Sequence, residues 1–294
     1  MKSIAESARK IAAACSAPAD VLRKRLPVRR RASAPVALLA IYASAAYSFL
    51  YLPLAILGVF SFNSSRIAVW KGFTWDWYRS IFHSEALLEG TLNSLVIAVC
   101  ATVVSTVAGT LAGYAIWKKR VPLLTSSFYL SLLTPEIVAG ISLLAFFQWA
   151  FRWLHVQLGL HTVILAHISF SLAYATIVIL ARLRTFDPRL EEAALDLGAN
   201  EWQAFRYVTL PMLLPAIVAA ALLCFTVSFD DYVITSLVAG VNSETLPMMI
   251  YAMARRGVSP DVNALSVMIT VGLGLLIVLA GYLEQRGAMA EPKA

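Results

Sequence analysis

The 294-residue chain is 60% hydrophobic and 14% charged, with a mean hydropathy of +0.74 and a formal net charge of +7. So apolar a composition excludes a soluble globular domain and makes the chain an integral membrane protein. The basic charge is no nucleic-acid footprint: Lys and Arg gather at the ends of apolar runs, where topology accounts for them, and no nucleic-acid partner is expected.

Residues 1–31 are polar and hold nine of the 24 Lys and Arg residues, which reads as a cytoplasmic tail. Ala12-Ala13-Ala14-Cys15 superficially resembles a lipoprotein cleavage site, but Arg9 and Lys10 interrupt the apolar core that a signal peptide needs. At about 20 apolar residues per crossing, an all-α protein of six transmembrane helices follows, within 32–65, 91–117, 121–151, 156–181, 212–240 and 262–283. The first two ranges carry no charge, and Glu136 is the only one in the third. Placing the tail and the polar segment after the fourth span in the cytoplasm puts both termini inside. Eighteen Lys and Arg then lie inside, against six outside: Arg66, Lys71, Arg79, Arg152, Arg255 and Arg256. That asymmetry fits the positive-inside rule.

The domain reading is a basic tail at 1–31, a first helix with an external segment at 32–90, a transmembrane core at 91–283, and a cytoplasmic C-terminal tail at 284–294. Gly109 and Gly113 form a small-xxx-small surface suited to close helix packing. Cys15, Cys100 and Cys224 lack metal-ligand or paired spacing and read as small packing residues. Outside the membrane, Phe62-Asn63-Ser64-Ser65-Arg66, Trp75, Trp77 and Tyr78 suit an aromatic belt at the interface.

The polar segment from Asp187 to Pro215 organises the rest. Asp187 can cap a helix with Pro188 in its first turn, and Glu191 and Glu192 sit at the positive end of its dipole. Gly198 stops that helix. Asn200 and Gln203 have capping-box spacing and start a second short helix, expected to end at Pro211. The result is a helix-turn-helix elbow whose apolar side runs from Leu190, Ala193, Ala194 and Leu197 to Trp202 and Phe205, and which needs a partner to cover it. A helix merely resting on lipid would favour a basic polar face, whereas this first turn is acidic.

Glu192-Ala193-Ala194, then Gly198, then Val208-Thr209-Leu210-Pro211, resemble the EAA loop of ABC importer permeases, with Val208 where that family usually has Ile. The strings Ala166-His167-Ile168-Ser169-Phe170, Ser228-Phe229-Asp230-Asp231, Leu246-Pro247-Met248 and Gly257 to Ala264 extend the likeness to permeases of the polyamine class. The resemblance implies a type I ABC importer permease fold in the bacterial inner membrane, with 187–211 as a coupling loop docking on an ATPase. Its contact residues are then Glu192, Ala193, Ala194, Asp196, Gly198, Trp202, Phe205, Leu210 and Pro211. The implied partners are two ATP-binding subunits, a second homologous permease and an external solute-binding protein, around a putrescine or spermidine path. No cofactor is expected on this chain; ATP and Mg belong to the ATPase.

Three acids within apolar sequence bear on a cationic substrate, since intramembrane charges tend to face an aqueous path or a partner: Glu136, Asp230 and Asp231. From Met212 to Asp230 a straight helix rises about 27 Å, yet apolar sequence continues to Gly240, so the span is tilted, broken or re-entrant near the pair. Adjacent aspartates point about 100° apart on a helix, which leaves one to bind substrate while the other caps or pairs. Phe229, Tyr232, Tyr174 and Trp149 could offer aromatic faces to an ammonium group. His155, His161 and His167 scatter around a helix axis, which argues against a shared metal site and leaves His167 as an interhelical hydrogen bond.

Two other classes are weaker. A secondary transporter would not need the capped elbow, and no internal repeat is visible. An intramembrane enzyme would need a convergent nucleophile and base, which the sequence does not offer. With no P-loop, the chain does not hydrolyse ATP itself. Iron, an opine or another small solute stays open as cargo.

Overall fold

In hydrocarbon each backbone N–H and C=O must be satisfied inside its own segment, so long apolar runs fold as helices. The computed structural model describes residues 34–65, 69–154, 157–255 and 260–289, and helices account for nearly all of them. They are α1 (Ala34–Phe60), α2 (Asp76–His83), α3 (Glu85–Lys119), α4 (Pro122–Leu133), α5 (Glu136–Leu154), α6 (Leu160–Leu183), α7 (Arg189–Asp196), α8 (Glu201–Ala204), α9 (Leu210–Asp230), α10 (Val233–Val238), α11 (Leu246–Arg255) and α12 (Pro260–Met289). Two compact units divide after Ala55. In the first, α1 exposes Leu38, Tyr42 and Phe49, as a lipid-facing helix does.

The second unit is built on α3. Ser84 accepts from the Leu87 N–H at its start, Glu85 lies in its first turn and Lys118 and Lys119 in its last, and left-handed Arg120 (φ 48°) ends it. α3 lies along α6 and α9. A Cβ added to Gly109 would stand 2.6 Å from Ala175 Cβ, and one at Gly113 would stand 3.0 Å from Ile179 Cγ2, so the two glycines do serve close packing. Cys224 is buried in the core these helices share, with Ala175, Ile179, Leu183, Leu213 and Ala220. Gly109→Leu should lower the thermal midpoint of the detergent-extracted chain, at a cost of about 1–3 kcal/mol for overpacking. Gly272→Leu, which meets only open space, should leave that midpoint unchanged.

Among the described residues five helices are long and apolar enough to cross a membrane, and a sixth crossing exists if a bent pair counts as one. That pair corrects the expected third span. Residues 121–151 are not one rod: α4 and α5 meet at 109°. Proline explains the break, since it pushes Thr134 into extended geometry (φ −70°, ψ 126°) and Pro135 brings no N–H. Of the options for the fifth span, a break at the aspartates is the one observed. α9 stops at Asp230, Asp231 is extended (φ −68°, ψ 126°), and α10 follows at once. α10 nests on α5 at Gly140, where an added Cβ would stand 2.5 Å from Leu237 Cδ1.

The second span starts earlier than expected, because α3 continues through Glu85 and Glu89, and the last helix runs on to Met289 in the segment read as a C-terminal tail. In the segment read as external from the sequence, Asn63 pairs with Phe73 and is fully buried; its side-chain oxygen accepts from the Lys71 N–H (3.0 Å) and its amide donates to the Val69 carbonyl (2.9 Å). The aromatic residues beside it pack on one another, with Phe62 4.8 Å from Trp75 and 5.1 Å from both Phe73 and Tyr78 between ring centres. The basic tail at 1–31, Arg66, His155, Arg256 and Gly257 to Ser259 lie outside the described residues.

Candidate functional site

Two places carry the chemistry expected from the sequence, and one helix joins them. The first is the elbow. Asp187 Oδ1 accepts from the Arg189 N–H (3.0 Å), closing the start of α7. At its end the Ala199 N–H reaches the Ala194 carbonyl and the Gly198 N–H the Leu195 carbonyl, with Gly198 at φ 93°: a Schellman stop. Asn200 and Gln203 then form the reciprocal capping box, at 2.8 and 2.9 Å.

Pro211 does not end the second helix, contrary to the expectation. α8 runs through a π-turn at Phe205–Thr209 into α9, making a continuous helical stretch from Glu201 to Asp230. In an α-helix the Pro211 ring would clash with the carbonyl four residues back; the wider turn, in which the Leu210 N–H reaches the Phe205 carbonyl, relieves that conflict.

The apolar side of the elbow is uncovered: Leu197 is 90% exposed and Trp202 62%, and Leu190 and Ala193 also face out. Glu192, Asp196, Gly198 and Pro211 are exposed as well, while Ala194 and Leu210 are half-buried. Phe205 departs from this face. It is buried and packs on Tyr114, 4.6 Å between ring centres.

Sequence reasoning singled out Glu192 and passed over its neighbour. Glu191 is 3% exposed, accepts a hydrogen bond from the Tyr114 hydroxyl and pairs with Lys118 Nζ at 3.4 Å. It ties the elbow to the end of α3, and the only hint in the sequence is that Tyr114 and Lys118 share a helix face. Glu191→Ala should therefore loosen the elbow and raise tryptic cleavage at Arg189 or Arg206 about tenfold, since removing a buried acceptor costs about 1–3 kcal/mol. Glu192→Ala should leave cleavage unchanged.

The second place is a cavity of about 870 Å³ where the two helix breaks meet α6. Glu136, Asp230 and Asp231 line it with Tyr174, Tyr232 and Phe170 and the hydroxyls of Ser131, Thr134, Ser142, Ser169 and Thr226. No Lys or Arg is among its lining residues. Glu136 and the adjacent pair Asp230 and Asp231, far apart in sequence, thus converge. Asp231 also caps α10, accepting from the Thr235 N–H (2.8 Å), the Thr235 hydroxyl (2.8 Å) and the Ile234 N–H (3.3 Å). His167 makes the interhelical bonds expected of it, to Ser228 and Thr235.

Two expected aromatic residues are elsewhere. Trp149 is 67% exposed and does not line the cavity. Phe229 packs against the buried cluster of Ile81, Leu87, Leu246, Ala264 and Leu265 and faces a smaller cavity of about 290 Å³ that shares Asp230 and Tyr232 with the first. Phe170 lines the large cavity instead, and only its place one turn from Tyr174 on α6 could have suggested it. Among the described residues no group of three His, Cys, Asp or Glu is arranged to hold a metal ion.

Residues 105–286 match the family model of the binding-protein-dependent transport system inner membrane component, which is more than half of the chain. The chain belongs to this family. The permease is 39% identical, over 79% of its own length and 90% of the relative's, to the spermidine/putrescine transport system permease protein PotC of Haemophilus influenzae. It is 38% identical to the putrescine transport system permease protein PotI of Escherichia coli K12, over 82% and 88% of the two chains. Its fold resembles that of a bacterial alginate ABC transporter solved with a pentasaccharide-bound periplasmic protein (TM-score 0.68, 18% identity, 85% of this chain and 94% of that one). The permease is therefore a multi-pass inner-membrane subunit of an ABC importer and not the catalytic component; ATP hydrolysis belongs to a separate subunit.

Proposed function

We propose that this permease forms the path for a polyamine, putrescine or spermidine, in an ATP-driven importer. The observation that carries the reading is the cavity where Glu136, Asp230 and Asp231 converge with Tyr174 and Tyr232, with no Lys or Arg in its lining. Carboxylates attract an ammonium group and desolvated aromatic faces hold it by cation–π contact. The relatives named for putrescine and spermidine support the same cargo.

Transport proceeds by alternating access. A second homologous permease completes the pathway, an external binding protein delivers the substrate, and two ATPase subunits using Mg and ATP close beneath the elbow. Glu192, Ala193, Ala194, Asp196, Gly198 and Trp202 form the docking surface, and Leu210 and Pro211 pass its movement into the membrane. The stretch from Glu201 to Asp230 would reach about 45 Å as a helix, so a tilt of the elbow moves the Asp230 wall of the cavity directly. Both termini lie in the cytoplasm, which places the elbow on the side of ATP.

The test is uptake of labelled putrescine by cells that lack their own polyamine importers and express the complete transporter. Unlabelled putrescine and spermidine should compete, and a monoamine of equal length should compete poorly. Accumulation of ferric iron or an opine without polyamine uptake would overturn the reading.

A further inference from the structure

The transport scheme makes no use of His167, a buried titratable side chain. His167 on α6 is 1% exposed and faces the break between α9 and α10. Its Nδ1 lies 2.7 Å from the Ser228 hydroxyl in the last turn of α9, and its Nε2 lies 2.9 Å from the Thr235 hydroxyl in α10 and 3.4 Å from Asp231 Oδ2. Counting protons assigns the direction of the bonds on the Nε2 side. Thr235 has one hydroxyl proton, and Asp231 Oδ2 at 2.8 Å is an acceptor, so that proton goes to Asp231. The Thr235 oxygen must then accept from Nε2–H. One directed chain runs from His167 Nε2–H through Thr235 to Asp231, with Ser228 held at Nδ1.

This chain divides the aspartate pair. Both oxygens of Asp231 are taken up in capping α10. The Asp230 carboxylate makes no hydrogen bond among the described residues and lies exposed on the cavity wall.

Resting on the polyamine-permease reading, the geometry points to His167 as a positioning residue. It fastens the end of α9 to the start of α10, commits Asp231 to holding the break, and so presents Asp230 to the substrate's ammonium group. His167 itself does not touch the substrate. An amide placed at Nε2 should therefore replace it, and an amide placed at Nδ1 should not.

The experiment is a variant series in the reconstituted complex. His167→Leu and His167→Asn should lower uptake about tenfold, as expected for a broken buried network, and His167→Gln should stay within about twofold of wild type. Thr235→Val should match His167→Leu, Thr235→Ser should restore uptake, and the double variant His167→Leu, Thr235→Val should be no worse than either single change. A packing role predicts instead that His167→Leu transports normally. A direct substrate contact predicts that Thr235→Val has no effect, or that His167→Gln fails like the others. Each of those results overturns the proposal.

A second readout needs no substrate: nitrogen-15 NMR of histidine-labelled complex, with the His167 signals assigned by their loss in His167→Gln. A ring carrying a proton at Nε2 is expected; a ring whose only proton is at Nδ1 overturns the proposal. If wild-type complex moved no polyamine, the substrate reading would fall, while this spectrum would still decide how His167 is bonded.

Discussion

Replacing Glu136 by Gln and Asp230 by Asn together should lower polyamine uptake about a hundredfold, while the complex assembles and hydrolyses ATP at its basal rate. Each carboxylate offers a charge-assisted hydrogen bond to an ammonium, worth about 1.5–3 kcal/mol, or roughly tenfold or more per site. The two come from different helix breaks and meet only in the cavity, so their losses should be nearly additive unless one ammonium bridges both. Neither is needed to hold the fold in the way Asp231 is, with its three donors from α10. Asp231→Asn should behave differently, weakening the cap and lowering the amount of assembled transporter. Initial-rate uptake normalised to protein in the membrane separates the two; normal uptake by the Glu136→Gln, Asp230→Asn protein would remove the acids from the path.

Gly198→Val should uncouple the machine: ATP hydrolysis continues and substrate moved per ATP falls about tenfold or more. No neighbour lies within 4 Å of a Cβ added there, so the effect is conformational and not a clash. At φ 93° a β-branched residue is strained by about 1–3 kcal/mol, enough to reorient the Schellman stop and turn α7 away from its docking angle. Gly198→Asn, better tolerated at positive φ, should keep most coupling. Simultaneous measurement of ATP hydrolysis and uptake is the check, and unchanged stoichiometry in Gly198→Val would refute the elbow's role.

Local chemistry made much of this legible in the sequence. Apolar length gave the helices, Gly198 and the Asn200–Gln203 box gave the elbow, and intramembrane acids pointed to the cavity. What escaped the sequence was non-local or depended on small backbone choices. Thr134-Pro135 was visible, but not the 109° turn it makes. Pro211 reads as a stop because a π-turn, which lets a helix pass a proline, leaves no sequence mark. Glu191 and Glu192 are chemically identical neighbours, and only the position of Tyr114 and Lys118 on another helix decides which one is buried. The same holds for the aspartates, which His167 and Thr235 tell apart. Trp149 offers only an aromatic ring in the sequence, and the helix turns it away from the cavity lining.

The most direct measurement is uptake of labelled putrescine and spermidine into proteoliposomes holding the full complex, with ATP inside and the cognate binding protein outside. Accumulation that requires both ATP and binding protein, and is lost in the Glu136→Gln, Asp230→Asn complex while ATP hydrolysis persists, is the predicted result. Binding-protein-stimulated ATP hydrolysis without polyamine movement, or uptake driven by an ion gradient with no ATP present, would contradict the account.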